Sequence, residues 1–525
     1  MAKRPSTYFG EPLSAESKKL VNEVRLKINQ PIHPNFDNDF NVYRFVLSAE
    51  RINKKDKEVV DAAAKALNNH LRIRKAMRLD TTPDMPFDDN PIFRNRLLPL
   101  SYILPYTDNC NRLLWYLDYA SINVEDTTPD MPFDDNPIFR NRLLPLSYIL
   151  PYTDNCNRLL WYLDYASINV EAIAHTIRSS ESIKYQFLQF EHMLRRVNKQ
   201  EEKTGCLSGI RHIIDLNGYE INPFTMFFVT NGNLSYYSQL LHFENYPDLV
   251  TPMEMVNIPK WIHVPYRMVR TMMPASFNDR FRLHDENFLT TLQQDINIEH
   301  IPQTLGGQNE KIRSIPAEKI TSENFWKPTN LELLSTLETF HISPRKNRQI
   351  YVDVTEASKQ LSWYYITDGD IYFGVFYEPP EETSCNNIIT TTARHEKEVE
   401  HENLEMVYPW LKLAAKIVHE SDRPPEETSC NNIITTTARH EKEVEHENLE
   451  MVYPWLKLAA KIVHESDRVE CTRPGRYWLI FCNKISWLQR RTIHLTMQLS
   501  DGETTKRCHT DGTFSSAEPF EVPHL

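Results

Sequence analysis

The sequence predicts three consecutive regions: a helical lead, an α/β layer and an antiparallel β-sandwich. Near the N-terminus apolar residues recur every three or four positions, which is typical of amphipathic helices. Short apolar strands then alternate with helical segments, a pattern that favours a mostly parallel sheet covered by helices. Beyond about residue 340 the apolar residues alternate with period two, which indicates half-buried strands of a sandwich.

The helical lead is predicted over residues 1–79. Leu20, Val24 and Ile28 recur at helical spacing, and Ser14 stands where an N-cap residue would be expected. Two further helices follow, marked by apolar residues at Phe40, Tyr43 and Leu47, and then at Val60, Ala63, Leu67 and Leu71.

Two segments of the chain are each present twice without a change. Residues 80–125 recur at 126–171, and residues 379–423 recur at 424–468. Solenoid units stack in larger numbers, so this is not a repeat architecture. Losing one strand with about five buried side chains would cost on the order of 8–15 kcal/mol. An extra loop costs only about 1–2 kcal/mol. We therefore expect one copy of each to fold into the sheet, namely the second, which continues directly into the downstream sequence.

An α/β domain is predicted over residues 80–310. Strands are expected at Leu159–Tyr165, Ile213–Leu216, Glu254–Ile258 and Phe281–Leu283. The helices between them are predicted near Ile183–Leu194 and over 223–243, 264–273 and 286–296.

A polar linker is predicted over residues 311–340, followed by a β domain over 341–500 and a polar tail over 501–525. The alternating sets in the β domain are Ile350, Val352 and Val354; Leu361, Trp363 and Tyr365; Ile371, Phe373 and Val375; Tyr477, Leu479 and Phe481; and Ile493, Leu495, Met497 and Leu499.

Composition excludes several classes of protein. The formal charge of −12 argues against a general nucleic-acid binder, which needs a basic surface. The chain begins without an apolar leader and has no long apolar run, so we expect a cytoplasmic protein with at most peripheral membrane contact. Its 8 cysteines form no CxxC pair and are expected to be reduced.

No pattern in the sequence favours catalysis, a metal or a cofactor. His395 and His401, with their copies His440 and His446, are six residues apart and do not share one helical face. Asp215 could be catalytic after its buried strand, but together with Asn217 it more often ends a strand and shapes a turn.

The feature that stands out is apolar. Residues 255–283 combine several methionines with aromatic and branched side chains. Ordinary core packing is one interpretation. The other is an apolar ligand cavity closed by a movable, Met-rich helix, because methionine suits a deformable contact surface.

Three motifs resemble the CRAL-TRIO family in order and spacing. They are Asn245-Tyr246-Pro247-Asp248, the strand ending Val256-Asn257-Ile258-Pro259, and Ile301-Pro302-Gln303-Thr304-Leu305-Gly306-Gly307. The region from Leu361 to Phe376 and the strand that ends at Phe481 resemble a GOLD domain, a jelly-roll-like β-sandwich. Together they look like the Sec-fourteen-like proteins, which pair the two domains.

The resemblance implies a non-enzymatic protein that binds a lipid or other hydrophobic ligand under a gate helix, here matching about 264–281. The implied lining residues are Ile214, Leu216, Val256, Ile258, Val264, Met268, Val269, Met272, Phe277 and Phe281. Arg270 is the headgroup candidate. Positions that carry hydroxyls and a glutamate in phosphatidylinositol-binding members fall on Ile210, His212 and Tyr237, so that specificity is not expected.

The resemblance also implies transfer or sensing at a transiently bound membrane, with peripheral association with the Golgi or other endomembranes. An alternative is a secretory-pathway adaptor whose GOLD domain binds a protein partner, with the lipid as a regulatory input. A hydrolase using Asp215 or one of the duplicated histidines is a third hypothesis.

Overall fold

The computed structural model describes residues 6–53, 55–81, 100–107, 113–118, 146–154, 158–164, 175, 178–217, 236, 239–258, 280–310, 325–328, 330–380, 449–484, 486 and 489–520. The chain divides into two compact units. The first comprises Met1–Thr329 with Ile462–Glu465 and His524–Leu525, and the second comprises Asn330–Lys461 with Ser466–Pro523.

The first unit begins with three packed helices, which confirms the predicted helical lead. Ser14 caps the first helix by accepting a hydrogen bond from the Ser17 amide, and Asn38 caps the second in the same way. The apolar faces of the helices meet in a core that contains Leu20, Val46 and Leu67. The helices are α1 (Ala15–Leu26), α2 (Asp39–Glu50) and α3 (Asp56–Ala76).

A five-stranded mixed sheet forms the centre of the first unit. Four of its strands are parallel to one another in sequence order, and one antiparallel strand lies at the edge. The predicted strands are confirmed within a few residues at their ends. The strands, in sheet order, are β3 (Leu146–Thr153), β4 (Arg158–Asp164), β5 (Gly209–Asp215), β6 (Val250–Val256) and β7 (Phe281–Leu283).

The sheet uses the second copy of the first duplicated segment, as expected. β3 and β4 come from residues 126–171, and β4 pairs in parallel with β5. The first copy forms its own two-stranded hairpin of β1 (Leu100–Thr107) and β2 (Leu113–Asp118).

Helical segments complete the described part of the first unit. The long helix α4 (Ser179–Thr204) ends at Gly205, which adopts the left-handed conformation (φ 68°) typical of a helix C-terminus. The C-terminal part of the helix predicted over 223–243 is a π-helix at Gln239–Asn245. A short helix, α5 (Phe288–Gln293), follows β7.

The second unit contains two antiparallel sheets. The strands are β8 (Glu338–Ile342), β9 (Asn347–Val354), β10 (Lys359–Thr367), β11 (Ile371–Glu378), β12 (Glu450–Leu458), β13 (Glu465–Cys471), β14 (Gly475–Cys482), β15 (Arg491–Ser500), β16 (Thr505–Cys508) and β17 (Phe514–Ser516). One sheet has the strand order β12-β11-β14-β9, and the other has the order β13-β10-β15-β16-β17, with β8 also paired to β15. Aromatic rings from the two sheets pack against each other: the ring centroids of Trp363 and Tyr453 are 4.8 Å apart, and those of Tyr365 and Phe373 are 5.2 Å apart.

Ordered structure extends beyond the predicted β region at both ends. A short helix, α6 (Leu331–Ser335), and β8 lie in the stretch predicted as a linker, and β16 and β17 lie in the predicted polar tail. These strands pair at or near the sheet's edge, where few side chains enter the core. β8 and β16 form by backbone pairing with β15, and β17 forms by pairing with β16, so none of them needs an alternating apolar sequence.

Candidate functional site

The strand register divides the central sheet into two faces. Directly paired residues of parallel strands point to the same side, so His212 shares a face with Met253 and Phe281, whereas Ile213 shares the other face with Glu254 and Arg282. The His212 face comprises His212, Ile214, Met253, Met255, Phe281 and Leu283. The Arg211 face comprises Arg211, Ile213, Asp215, Glu254, Val256 and Arg282.

The His212 face is covered by the π-helix and, behind it, by α4. Phe243 of the π-helix stacks on Phe281 at 5.9 Å. His242 meets Phe190 of α4 edge-on at 5.0 Å. A small pocket with mixed polar and apolar walls lies at this junction, lined by His242, Phe243, Asp248, Val250, Thr251, Met253 and Arg280.

Two histidines on this side are held neutral by burial. Burial lowers the pKa of His242 to about 4, helped by the charge of Arg280. Burial and the nearby His242 also lower the pKa of His212 well below its ordinary value. Neither imidazole would therefore carry a charge at neutral pH, and this face presents no cation from them to a ligand.

A buried ion cluster occupies part of the Arg211 face. The Arg211 guanidinium lies 2.9 Å from Asp154 and 2.6 Å from Glu254. Glu254 also lies 2.6 Å from the His284 imidazole and 3.1 Å from Arg282. Burial would raise the pKa of Glu254, but the His284 hydrogen bond and the two arginines lower it to about 2. The cluster thus keeps the Glu254 carboxylate charged and paired within the sheet.

Asp215, Asn217 and Asn257 organise the carboxyl ends of β5 and β6. The Asp215 Oδ1 atom accepts hydrogen bonds from the Asn217 amide at 2.9 Å and from Asn257 Nδ2 at 2.8 Å. Asn257 adopts a positive φ of 53°, which ends the strand alternation there. Asp215 therefore takes the turn-shaping role that the sequence favoured.

The Asn245–Asp248 motif is bound to α2, α3 and α4 by buried polar contacts. His70 Nδ1 lies 3.0 Å from Asn245 Oδ1, and the Tyr246 hydroxyl donates to Glu191 at 2.7 Å. Asp248 pairs with both Arg51 and Arg280, at 2.7 Å each. The motif thus fixes the start of β6 against the helical lead.

The loop over Ile301–Asn309 is closed by backbone hydrogen bonds. The Gly307 amide donates to the Pro302 carbonyl at 3.0 Å, and the Asn309 amide donates to Ile301. A Cβ on Gly307 would lie 2.1 Å from the Ile301 carbonyl oxygen, so only glycine fits at this position without displacing the loop.

The structure separates the predicted lining residues. Ile214 and Phe281 lie on the His212 face, whereas Val256 lies on the Arg211 face opposite Asp215. Leu216 and Ile258 follow the ends of β5 and β6, and the Leu216 amide donates to the Val256 carbonyl at 3.1 Å. Val264, Met268, Val269, Arg270, Met272 and Phe277 lie outside the described residues, as do Tyr237 and His395, His401, His440 and His446.

The buried histidines and the Arg211 cluster were missed by the sequence interpretation. Arg211 and His212 stand in an otherwise apolar strand, and that interruption was a signal for buried polar contacts. Among the residues that the structure describes, no group of three or more His, Cys, Asp or Glu side chains could hold a metal ion. No helix in the described ranges is long and apolar enough to cross a membrane.

Comparison with known proteins gives two domain matches and one relative. Residues 13–82 match a domain of unknown function, DUF8435, and residues 146–307 match the CRAL/TRIO domain. The chain is 21% identical over 371 residues to the CRAL-TRIO domain-containing protein F28H7.8 of Caenorhabditis elegans, covering 70% of this chain and 77% of that protein. The second match encloses β3 to β7 and the loop that ends in Gly306-Gly307. The five-stranded sheet and the loop that follows it therefore lie within the segment that matches the CRAL/TRIO domain.

Proposed function

We propose that the protein binds one hydrophobic ligand in its CRAL/TRIO domain and transfers or presents it at intracellular membranes without chemical conversion. CRAL/TRIO domains bind or transfer lipophilic ligands. The observation that carries the proposal is that the CRAL/TRIO match over residues 146–307 includes both the sheet and the Met-rich segment 255–283.

Hydrophobic transfer supplies enough free energy for this function. Burying a methylene group gains about 0.8 kcal/mol, so an acyl chain with a dozen methylenes gains on the order of 10 kcal/mol. An acidic protein can therefore hold a lipid without strong charge contacts. Exchange at a bilayer needs no covalent step, because the membrane covers the apolar surface that opening exposes.

The ligand is expected to be neutral or weakly polar rather than a phosphoinositide. Two positions that carry hydroxyls in phosphatidylinositol-binding members are Ile210 and His212, and both side chains are buried in β5. Arg270 remains the candidate for a headgroup contact. Of the implied lining residues, Ile214, Leu216, Val256, Ile258 and Phe281 are described. Because Ile214 and Phe281 lie on the face opposite Val256, we propose Val256 and Ile258 as the ones that line the cavity together with the segment 264–281.

Ligand content and transfer test the proposal. The purified full-length chain is extracted with organic solvent and the extract is analysed by mass spectrometry. Transfer of fluorescent phosphatidylcholine between phosphatidylcholine vesicles is measured in parallel. We expect about one extractable lipid per chain and protein-dependent transfer. An empty protein that accelerates no transfer would contradict the proposal.

A matched pair of variants separates the cavity from the surface. The double variant Val264→Asp/Met268→Asp places charge in the proposed lining and should reduce ligand occupancy at least tenfold. Ile52→Asp alters an apolar side chain that is 74% exposed and should leave occupancy unchanged. Equal occupancy in both variants would show that the segment 264–281 does not line the site.

We also propose a protein-binding role for the second unit, as a GOLD-like adaptor domain that brings the protein to the Golgi or another endomembrane. Its two-sheet antiparallel architecture supports this assignment. Pull-down with the full chain, compared with a chain that carries charge substitutions in this unit, tests it. Loss of membrane recruitment without loss of ligand would support the adaptor role.

A further inference from the structure

The two copies of the first duplicated segment fold into the same hairpin. β1 and β2 pair from Leu100↔Asp118 to Leu104↔Leu114, with an irregularity before Thr107↔Leu113. β3 and β4 repeat this register, including the irregularity before Thr153↔Leu159. The hairpin is therefore a property of the duplicated segment itself, whether or not it joins the central sheet.

In the described part of the chain, only the second hairpin, β3–β4, pairs with the central sheet. β4 pairs along its whole length with β5, whereas β1 and β2 form a separate two-stranded sheet. β2 and β4 have the same sequence from the first leucine to the final aspartate, so the edge that β5 accepts exists twice in the chain.

We infer that the two hairpins compete for the place beside β5, so that the chain populates two arrangements of the same sheet. Because the copies are identical, either hairpin offers β5 the same backbone partners and the same side chains. The contacts within the sheet therefore cannot favour one copy over the other.

Loop closure hardly distinguishes the two arrangements. With the second hairpin in place, the connections to the sheet are residues 80–145 and 165–178. With the first hairpin in place, they become 80–99 and 119–178. One connection shortens as the other lengthens, and closure entropy depends only on the logarithm of length, so the two populations should agree within about a factor of two.

The second duplication differs in this respect. β13 begins inside the copy at 424–468 but continues through Val469 to Cys471, which occur once. The corresponding segment of the first copy ends at Arg423 and is followed by Pro424 and Pro425, which cannot supply amide hydrogens to a ladder. The first copy of the second duplication therefore cannot supply β13 in the same way.

Proline substitutions in the full-length chain test the competition. Leu160→Pro disables β4, Leu114→Pro disables its counterpart β2, and the double variant disables both. Exchange predicts that each single variant keeps the urea midpoint of the first unit, whereas the double variant loses its folded sheet. If Leu160→Pro alone matches the double variant, or if both single variants unfold, the inference is wrong.

Disulfide trapping gives a second measurement that leaves both hairpins able to pair with β5. In a background with Cys110, Cys156 and Cys206 replaced by serine, Ile210→Cys is combined with Leu159→Cys or with Leu113→Cys. Ile210 faces Leu159 in the β4–β5 register. Exchange predicts cross-linking of both pairs, with initial rates within about twofold. Cross-linking of the Leu159 pair alone would overturn it.

Discussion

Arg211 is the residue on which the charged interior of the sheet depends. Its guanidinium is 2% exposed and pairs with Asp154, Glu254 and Asp295. Removing one member of a buried ion cluster leaves its partners with an uncompensated charge, which costs about 3–5 kcal/mol, although the intact cluster need not be stabilising overall.

Arg211→Met should therefore lower the free energy of unfolding of the first unit by about 3–5 kcal/mol. Urea denaturation of the purified full-length chain measures this change. Lys19→Met is the matched control, since Lys19 pairs with Glu23 on an exposed helix surface and should contribute nothing measurable. Similar midpoints for the two variants would contradict the structural role of Arg211.

His70 makes the first unit sensitive to acid. Burial and the charge of Arg74 lower the pKa of His70 to about 3. Below pH 6.5 the unfolded chain binds a proton at this histidine and the folded chain does not, so stability falls as the pH drops from 6.5 towards 3. Between pH 7 and pH 5 this single group should cost about 2 kcal/mol.

The His70→Gln variant tests this pH dependence. Whatever its stability at pH 7, it should lose about 2 kcal/mol less than the natural chain on acidification to pH 5. Urea unfolding curves at both pH values give the comparison. An unchanged pH dependence would assign the acid sensitivity to other buried histidines, such as His242 or His212.

The sequence could not predict which face of the sheet each lining residue occupies. The resemblance to the CRAL-TRIO family implied that Ile214 and Val256 line one cavity. The β5–β6 register places them on opposite faces because Val256 pairs with Asp215 rather than with Ile214. Register depends on which strands meet, and a single sequence does not state it.

Among the elements, the loop ending in Gly306-Gly307 makes a clear prediction. Gly307→Ala places a Cβ against the Ile301 carbonyl, so it should destabilise the first unit by about 1–3 kcal/mol. Gly205→Asn is the control: Gly205 has a positive φ but open space around it, and asparagine tolerates that conformation. Thermal unfolding of both variants decides the matter. A harmless Gly307→Ala would mean that the loop can shift.

Strands with a clear alternating apolar pattern could be predicted from the sequence. Strands that form only because a neighbouring strand pairs with them could not. The strands around Trp363, Phe373 and Leu479 alternate over a buried core, and all were expected. β13 reads Glu-Ser-Asp-Arg-Val-Glu-Cys and has no such pattern. It exists because it completes a ladder beside β10, so its formation depends on tertiary pairing rather than on local preference.

At the scale of the whole molecule, two compact units predict two unfolding transitions. Trp363→Ala removes a fully buried ring from the second unit and should lower the stability of that unit by about 3–5 kcal/mol. Differential scanning calorimetry should show one transition shifted and the other unchanged. A single transition that moves as a whole would show that the units unfold together.

The point at which β13 leaves its duplicated segment has an evolutionary consequence. Selection acts on the later copy of the second duplication, because β13 begins in that copy and ends in residues that occur only once in the chain. Neither hairpin of the first duplication has a strand that continues into unique sequence. Selection can therefore relax on either hairpin while the other one preserves the sheet. Sequence divergence between the copies should therefore begin earlier in the first duplication (residues 80–171), and it can affect either copy. In the second duplication (residues 379–468), substitutions should accumulate in the copy nearer the N-terminus.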